Sequence, residues 1–154
     1  MSRVARSARV ASRQRVETIT ADKVIGKAET GETYLINHNA ASVLSITLPS
    51  PQDGAYFKFI IITDMADDAA GVDIGNTTAG VLQGTVEFTE LDGTGHGAEQ
   101  DSGSATKVTI GVEAATTLAG SYVECVSDGS NWYLNGMVYC ASGGTAADHV
   151  AFDA

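Results

Sequence analysis

Apolar and polar positions alternate over short runs along this chain, and glycine, asparagine, aspartate or proline separates the runs. Alternation with a period of two places successive side chains on opposite faces of a strand, so each run predicts a half-buried β-strand. Val16-Glu17-Thr18-Ile19-Thr20 alternates and opens the folded part. Further strands are predicted over 33–36, 43–48, 55–63, 72–74, 81–88 and 107–112. The strongest is 55–63: its first half alternates around Lys58, and its second half, Phe59-Ile60-Ile61-Ile62, is apolar on both faces. A run of that kind belongs in the middle of a sheet. Residues 121–139 read as two strands joined at Ser127-Asp128-Gly129-Ser130, because Asp and Gly accept the backbone angles of a tight turn. A turn centred on Asp128-Gly129 sets Cys125 opposite Trp132, the single tryptophan and a natural core anchor.

Breaks are as informative as runs. Pro49-Ser50-Pro51-Gln52-Asp53-Gly54 ends a strand firmly, since proline cannot donate to a ladder. Residues 91–104, rich in Gly, Asp, Ser and Thr, read as a long exposed loop. The stretch 113–118 fits either a strand or one helical turn. About eight or nine strands result, with turn signals about every 8–12 residues, no convincing long helix and no repeat at solenoid spacing. The fold class is all-β, an antiparallel sandwich or barrel. Three segments follow: a basic arm over 1–16, a β-sandwich domain over 17–140 and a C-terminal tail over 141–154.

Charge changes the picture at one end. Residues 1–15 hold Arg3, Arg6, Arg9, Arg13 and Arg15 and no acid, whereas the other 139 hold four lysines and all 19 acidic residues, a net −15 within a total of −10. A basic arm precedes an acidic body. The body repels phosphates, so direct nucleic-acid binding is not expected. No apolar run approaches the roughly 20 residues of a membrane helix, and the arm has no apolar core of a secretory signal. The arm is expected to order on an acidic partner surface; a disordered tail and a mitochondrial presequence are the blander readings.

No constellation points to catalysis, and no cofactor or metal is expected. His38, His96 and His149 lie in three separate segments without metal-ligand spacing, as exposed loop histidines would. Gly93-Thr94-Gly95-His96-Gly97 does not open a predicted helix, so it lacks the helix terminus that cradles phosphate. Asp64, Asp67, Asp68 and Asp73 offer oxygen ligands, but their spacing fits no EF-hand loop and reads as a solvated acidic turn. Cys125 and Cys140 read as two free, buried thiols, consistent with assembly in a reducing cytoplasm.

Two stretches carry a resemblance. The run Ile46-Thr47-Leu48-Pro49 through Gly54 into the aromatic strand Tyr56-Phe57-Lys58-Phe59, and the closing hairpin Ser127-Asp128-Gly129-Ser130-Asn131-Trp132-Tyr133, resemble β-sandwich virion proteins of tailed bacteriophages. The nearest are the jelly-roll head decoration, or cement, proteins, over roughly residues 30–140. The resemblance implies an antiparallel jelly-roll-like sandwich with an extended N-terminal arm and no catalytic residues. It implies a homotrimer on the outer surface of a phage head, a structural virion protein that clamps neighbouring major capsid proteins. The arm arginines Arg3, Arg6, Arg9, Arg13 and Arg15 are then the capsid-binding set. The alternative is a receptor- or carbohydrate-binding module of a tail fibre, with Tyr34, Tyr56, Trp132 and Tyr133 as stacking platforms.

Overall fold

The computed structural model describes residues 14–65, 71–78, 81–93, 95–111, 116–141 and 149–153. Twelve strands are found among them: β1 (Arg15–Ile19), β2 (Lys23–Val24), β3 (Glu32–Ile36), β4 (Leu44–Thr47), β5 (Asp53–Ile61), β6 (Val72–Gly75), β7 (Leu82–Glu90), β8 (His96–Ala105), β9 (Lys107–Ile110), β10 (Tyr122–Asp128), β11 (Trp132–Cys140) and β12 (Val150–Asp153). They form a seven-stranded sheet, β1-β3-β5-β10-β11-β7-β8, and a five-stranded sheet, β12-β9-β6-β4-β2. The all-β class is as the alternation predicts, and β5 is an interior strand, paired with β3 and β10.

Strand direction departs from the expectation. The sheets are mixed rather than antiparallel: β1–β3, β3–β5, β11–β7, β2–β4 and β4–β6 are parallel pairs. The cause lies in how the chain travels. From β1 to β6 it alternates between the two sheets, so each strand lies beside the one two places earlier and runs the same way. Parallel neighbours cannot be joined by a hairpin and need a crossover; here the crossover is a strand of the opposite sheet. Alternation along one strand carries no information about its partner's direction.

Two further stretches are more ordered than their composition suggests. Most of 91–104 is not loop: β8 pairs antiparallel with β7 as a sheet edge. An edge strand buries little, so its polar sequence carries no apolar signal. It is shaped instead by close contacts: a Cβ on Gly97 would lie 2.6 Å from the Phe88 ring. The 141–154 stretch supplies β12, which pairs with β9.

The core lies between the sheets. Tyr34, Phe57, Phe59, Val123, Cys125, Trp132, Leu134 and Val138 come from the seven-stranded sheet, and Leu44, Ile46, Val72, Ile74, Val108 and Val150 from the other. Phe57 and Trp132 meet with ring centroids 5.5 Å apart, and Tyr34 stacks on Phe59 at 5.4 Å. Trp132 sits opposite Ser127, and Cys125 opposite Leu134, a different register from a turn centred on Asp128-Gly129. The reason is a longer connection over 129–131, closed by the Asp128 carboxylate accepting the N–H groups of Ser130 and Asn131.

Candidate functional site

The two outer faces of the sandwich differ in chemistry. Outward positions of the five-stranded sheet are Ser45, Asp73, Thr109 and Ala151 in one row and Val24, Thr47, Gly75, Lys107 and Asp153 in the next. Asp73 accepts from Lys107 Nζ at 2.8 Å and from Thr109 Oγ1 at 2.7 Å, so the middle of this face satisfies its own polar groups, while Val24 is exposed at its edge.

The outer face of the seven-stranded sheet sets a half-buried apolar row beside a polar row, Thr33, Lys58, Glu124 and Asn135. Leu35, Ile60, Tyr122 and Met137 stand side by side on four adjacent strands, β3, β5, β10 and β11. All four are half-buried, with no described element covering them. Around them Val126 is 48% exposed, Ile62 41% and Tyr133 39%. The run Phe59-Ile60-Ile61-Ile62 carried this signal: Phe59 and Ile61 face the core, while Ile60 and Ile62 face out. In the middle Lys58 Nζ lies 2.6 Å from Glu124 Oε1 and 4.9 Å from the Tyr122 ring centroid. The hydrogen bond to Glu124 outweighs desolvation and raises the Lys58 pKa, so Lys58 stays charged on this face.

The arm meets the body at a sheet edge. Arg3, Arg6, Arg9 and Arg13 lie outside the described residues. Arg15 opens the edge strand β1; its side chain is 69% exposed, with Nη1 3.4 Å from Glu32 Oε1. Beside it, carboxylate oxygens of Glu17, Glu29 and Glu32 lie within 4.8 Å of one another, a cluster that sequence spacing did not suggest. Lys23 Nζ holds Glu17 at 3.0 Å and Glu29 at 2.9 Å and lies over the Tyr34 ring. Burial pushes the Glu29 pKa up, but the Gly26 N–H and Lys23 pull it further down, so Glu29 is ionised beside Lys23.

The remaining candidate residues are placed as follows. His96 is exposed at the start of β8, but His38 and His149 are buried rather than exposed. His38 Nε2 lies 2.6 Å from the Ser42 carbonyl, and His149 packs on Phe88 with Nε2 3.4 Å from Glu90 Oε1. For His149 it is Phe88, distant in sequence, that covers the ring. Asp64 accepts the Ala119 N–H and Asp73 is engaged by Lys107, while Asp67 and Asp68 lie outside the described residues. Cys125 and Cys140 are free and buried. Burial first, and the charge of Glu90 second, push the Cys140 thiol up to about 11, which keeps it protonated and unreactive near neutrality. Of the proposed stacking aromatics, Tyr34 and Trp132 are fully buried, and Tyr56 and Tyr133 reach the surface.

Among the described residues no helix is long and apolar enough to cross a membrane. No family model, no curated protein and no solved structure matches the chain.

Proposed function

We propose that this chain is a structural virion protein, a head decoration protein that grips the major capsid protein through its arginine arm and acts as a trimer on the outer surface of a phage head. The observation that carries the reading is the charge split at the sheet edge. Five arginines precede or begin β1, and a body of net −15 follows. Arg15 is both the last arm arginine and the first residue of an edge strand, so the arm joins the body at the rim of the sandwich. Arginine side chains suit planar, bidentate pairing with carboxylates of a protein shell. Several weak pairs on each of three linked arms add up to avidity. The acidic body keeps a protein present at high copy number from associating through its other surfaces.

The test is cosedimentation with heads of the phage that encodes the chain. The full chain is expected to pellet with heads. A chain lacking residues 1–13 is expected to stay in the supernatant, and raised salt to weaken the full chain's binding as it screens the arginines. Head binding that ignores both changes overturns the assignment. Specific binding of the arm-less sandwich on a saccharide array would favour the tail-fibre module instead.

A further inference from the structure

We infer that the outer face of the seven-stranded sheet is the seat of this chain's own arm, so that in the free protein residues 1–13 lie across that face in cis. The first observation is the point at which the arm meets the body. Gln14 immediately precedes the edge strand β1, and its Nε2 donates to the Thr33 hydroxyl. Thr33 opens the outward polar row that continues through Lys58, Glu124 and Asn135. Although it is outward, Thr33 is only 5% exposed. The residue next to the arm therefore already holds to this face, at its β1 side. Length allows the crossing. From β1 the sheet runs through β3, β5, β10 and β11 to β7. Those five steps of ~4.8 Å make about 24 Å, and thirteen extended residues reach about 43 Å.

Charge and side-chain chemistry select the occupant. On this face Lys58 stands against Glu124, Asp128 and Glu87, one cation to three carboxyl groups. The N–H groups of Asn131 and Ser130 and the Tyr133 hydroxyl hold the Asp128 carboxyl below its usual range, which keeps it ionised. Residues 1–13 bring the opposite sign, four arginines and no acid. Four of the five tyrosines, Tyr56, Tyr122, Tyr133 and Tyr139, also occupy outward positions here. Guanidinium groups stack on such rings. Val4 and Val10 of the arm match the apolar row of Leu35, Ile60, Tyr122 and Met137. The acidic cluster nearer the arm, Glu17, Glu29 and Glu32, is already held by Lys23 and Arg15. Tethering makes weak contacts sufficient. At the roughly millimolar effective concentration of a short tethered segment, a contact of about 1 mM is half formed, and one about tenfold tighter is ~90% formed.

The seat is independent of what the arm binds. Its consequence rests on the reading above: a shell has to displace the arm from the face, so the covered fraction lowers head affinity. The experiment attaches a nitroxide to the full chain through Ser7→Cys, since Cys125 and Cys140 are buried, and reads the loss of backbone amide NMR signals. The loss is expected on β5, β10 and β11, to be weaker on the opposite sheet ~10 Å further away, and to fade as salt screens the arginines. Glu87→Lys is expected to relieve the loss on β10 and β11 and to raise head affinity. The control Val24→Lys/Leu91→Lys makes the same charge change at exposed positions outside the central strands and is expected to do neither. Loss confined to β1 and β3, loss spread evenly over both sheets, or loss undiminished by Glu87→Lys overturns the inference. So does an equal loss on isotope-labelled chain mixed with unlabelled, nitroxide-bearing chain, because the arm then comes from another copy. Arm-dependent head binding without a covered face removes the inference and keeps the decoration reading; a covered face in a chain that ignores heads does the reverse.

Discussion

The Leu48-Pro49 turn is closed by two side chains from distant elements, and this makes an energetic coupling that can be measured. Trp132 Nε1 donates to the Pro49 carbonyl at 3.0 Å. Asn76 Nδ2 donates to the same carbonyl at 2.8 Å and to the Leu48 carbonyl at 3.1 Å. Trp132→Phe keeps a ring against Phe57 but loses one hydrogen bond and part of the buried indole, for about 1.5–3 kcal/mol. Asn76→Ala takes away the donor to Leu48, for about 1–3 kcal/mol. Either substitution leaves the Pro49 carbonyl with one donor; both together leave it with neither. Because Pro49 is half-buried, the added penalty is near the lower end of the range for an orphaned group, about 1 kcal/mol. The double variant is therefore expected to lose about 1 kcal/mol more than the two singles combined, or roughly 2–4 °C of extra melting-temperature loss for a chain of this size. Denaturant titration at one chain concentration, followed by far-UV circular dichroism because Trp132 is the sole tryptophan, supplies the four stabilities of the cycle. Additivity within ~0.3–0.5 kcal/mol would refute the shared carbonyl.

Two other outcomes follow from close contacts and charge elsewhere in the fold. A Cβ on Gly84 would sit 2.0 Å from the Leu134 carbonyl oxygen, at a φ of +143°, so Gly84→Ala is expected to cost more than ~3 kcal/mol by forcing β7 from β11. Gly93→Ala, at φ +79° with nothing within 4 Å, should cost only ~1–2 kcal/mol; equal thermal midpoints for the two would refute the parallel β7–β11 pairing. The Asp101 pKa is pushed up by burial but pulled down further, to about 2, by the N–H groups of Gly103, Ser104 and Ala105 and the Ser104 hydroxyl. A depressed carboxyl stabilises the fold above its ordinary pKa and loses that contribution as pH falls through its folded value. The melting-temperature advantage over Asp101→Asn, at under ~1 kcal/mol for so accessible a group, should thus shrink between about pH 4 and pH 2; an advantage constant over that window would contradict it.

The amino-acid sequence by itself determined where the chain pleats and which side of each pleat turns inward. Ala55, Phe57, Phe59 and Ile61 face the core because alternation and burial are the same fact seen at two scales. The surplus of apolar residues at Ile60 and Ile62 was equally legible, and so was the charge split between arm and body. Tertiary structure alone decided what depends on neighbours from far along the chain. Pairing direction was one such thing, since a strand reads the same beside a parallel or an antiparallel partner. The polar strand β8 was another, held by the backbone of β7 and the fit of Gly97 beneath Phe88. His149 became a core residue because Phe88 and Glu90 arrive from β7 to enclose it. The Glu17–Glu29–Glu32 cluster formed because β1, the turn after β2 and β3 converge at one sheet edge. Local sequence sets which backbone shapes and faces are favourable, whereas direction, burial of polar groups and charge clustering are set by contacts between segments that sequence order keeps apart.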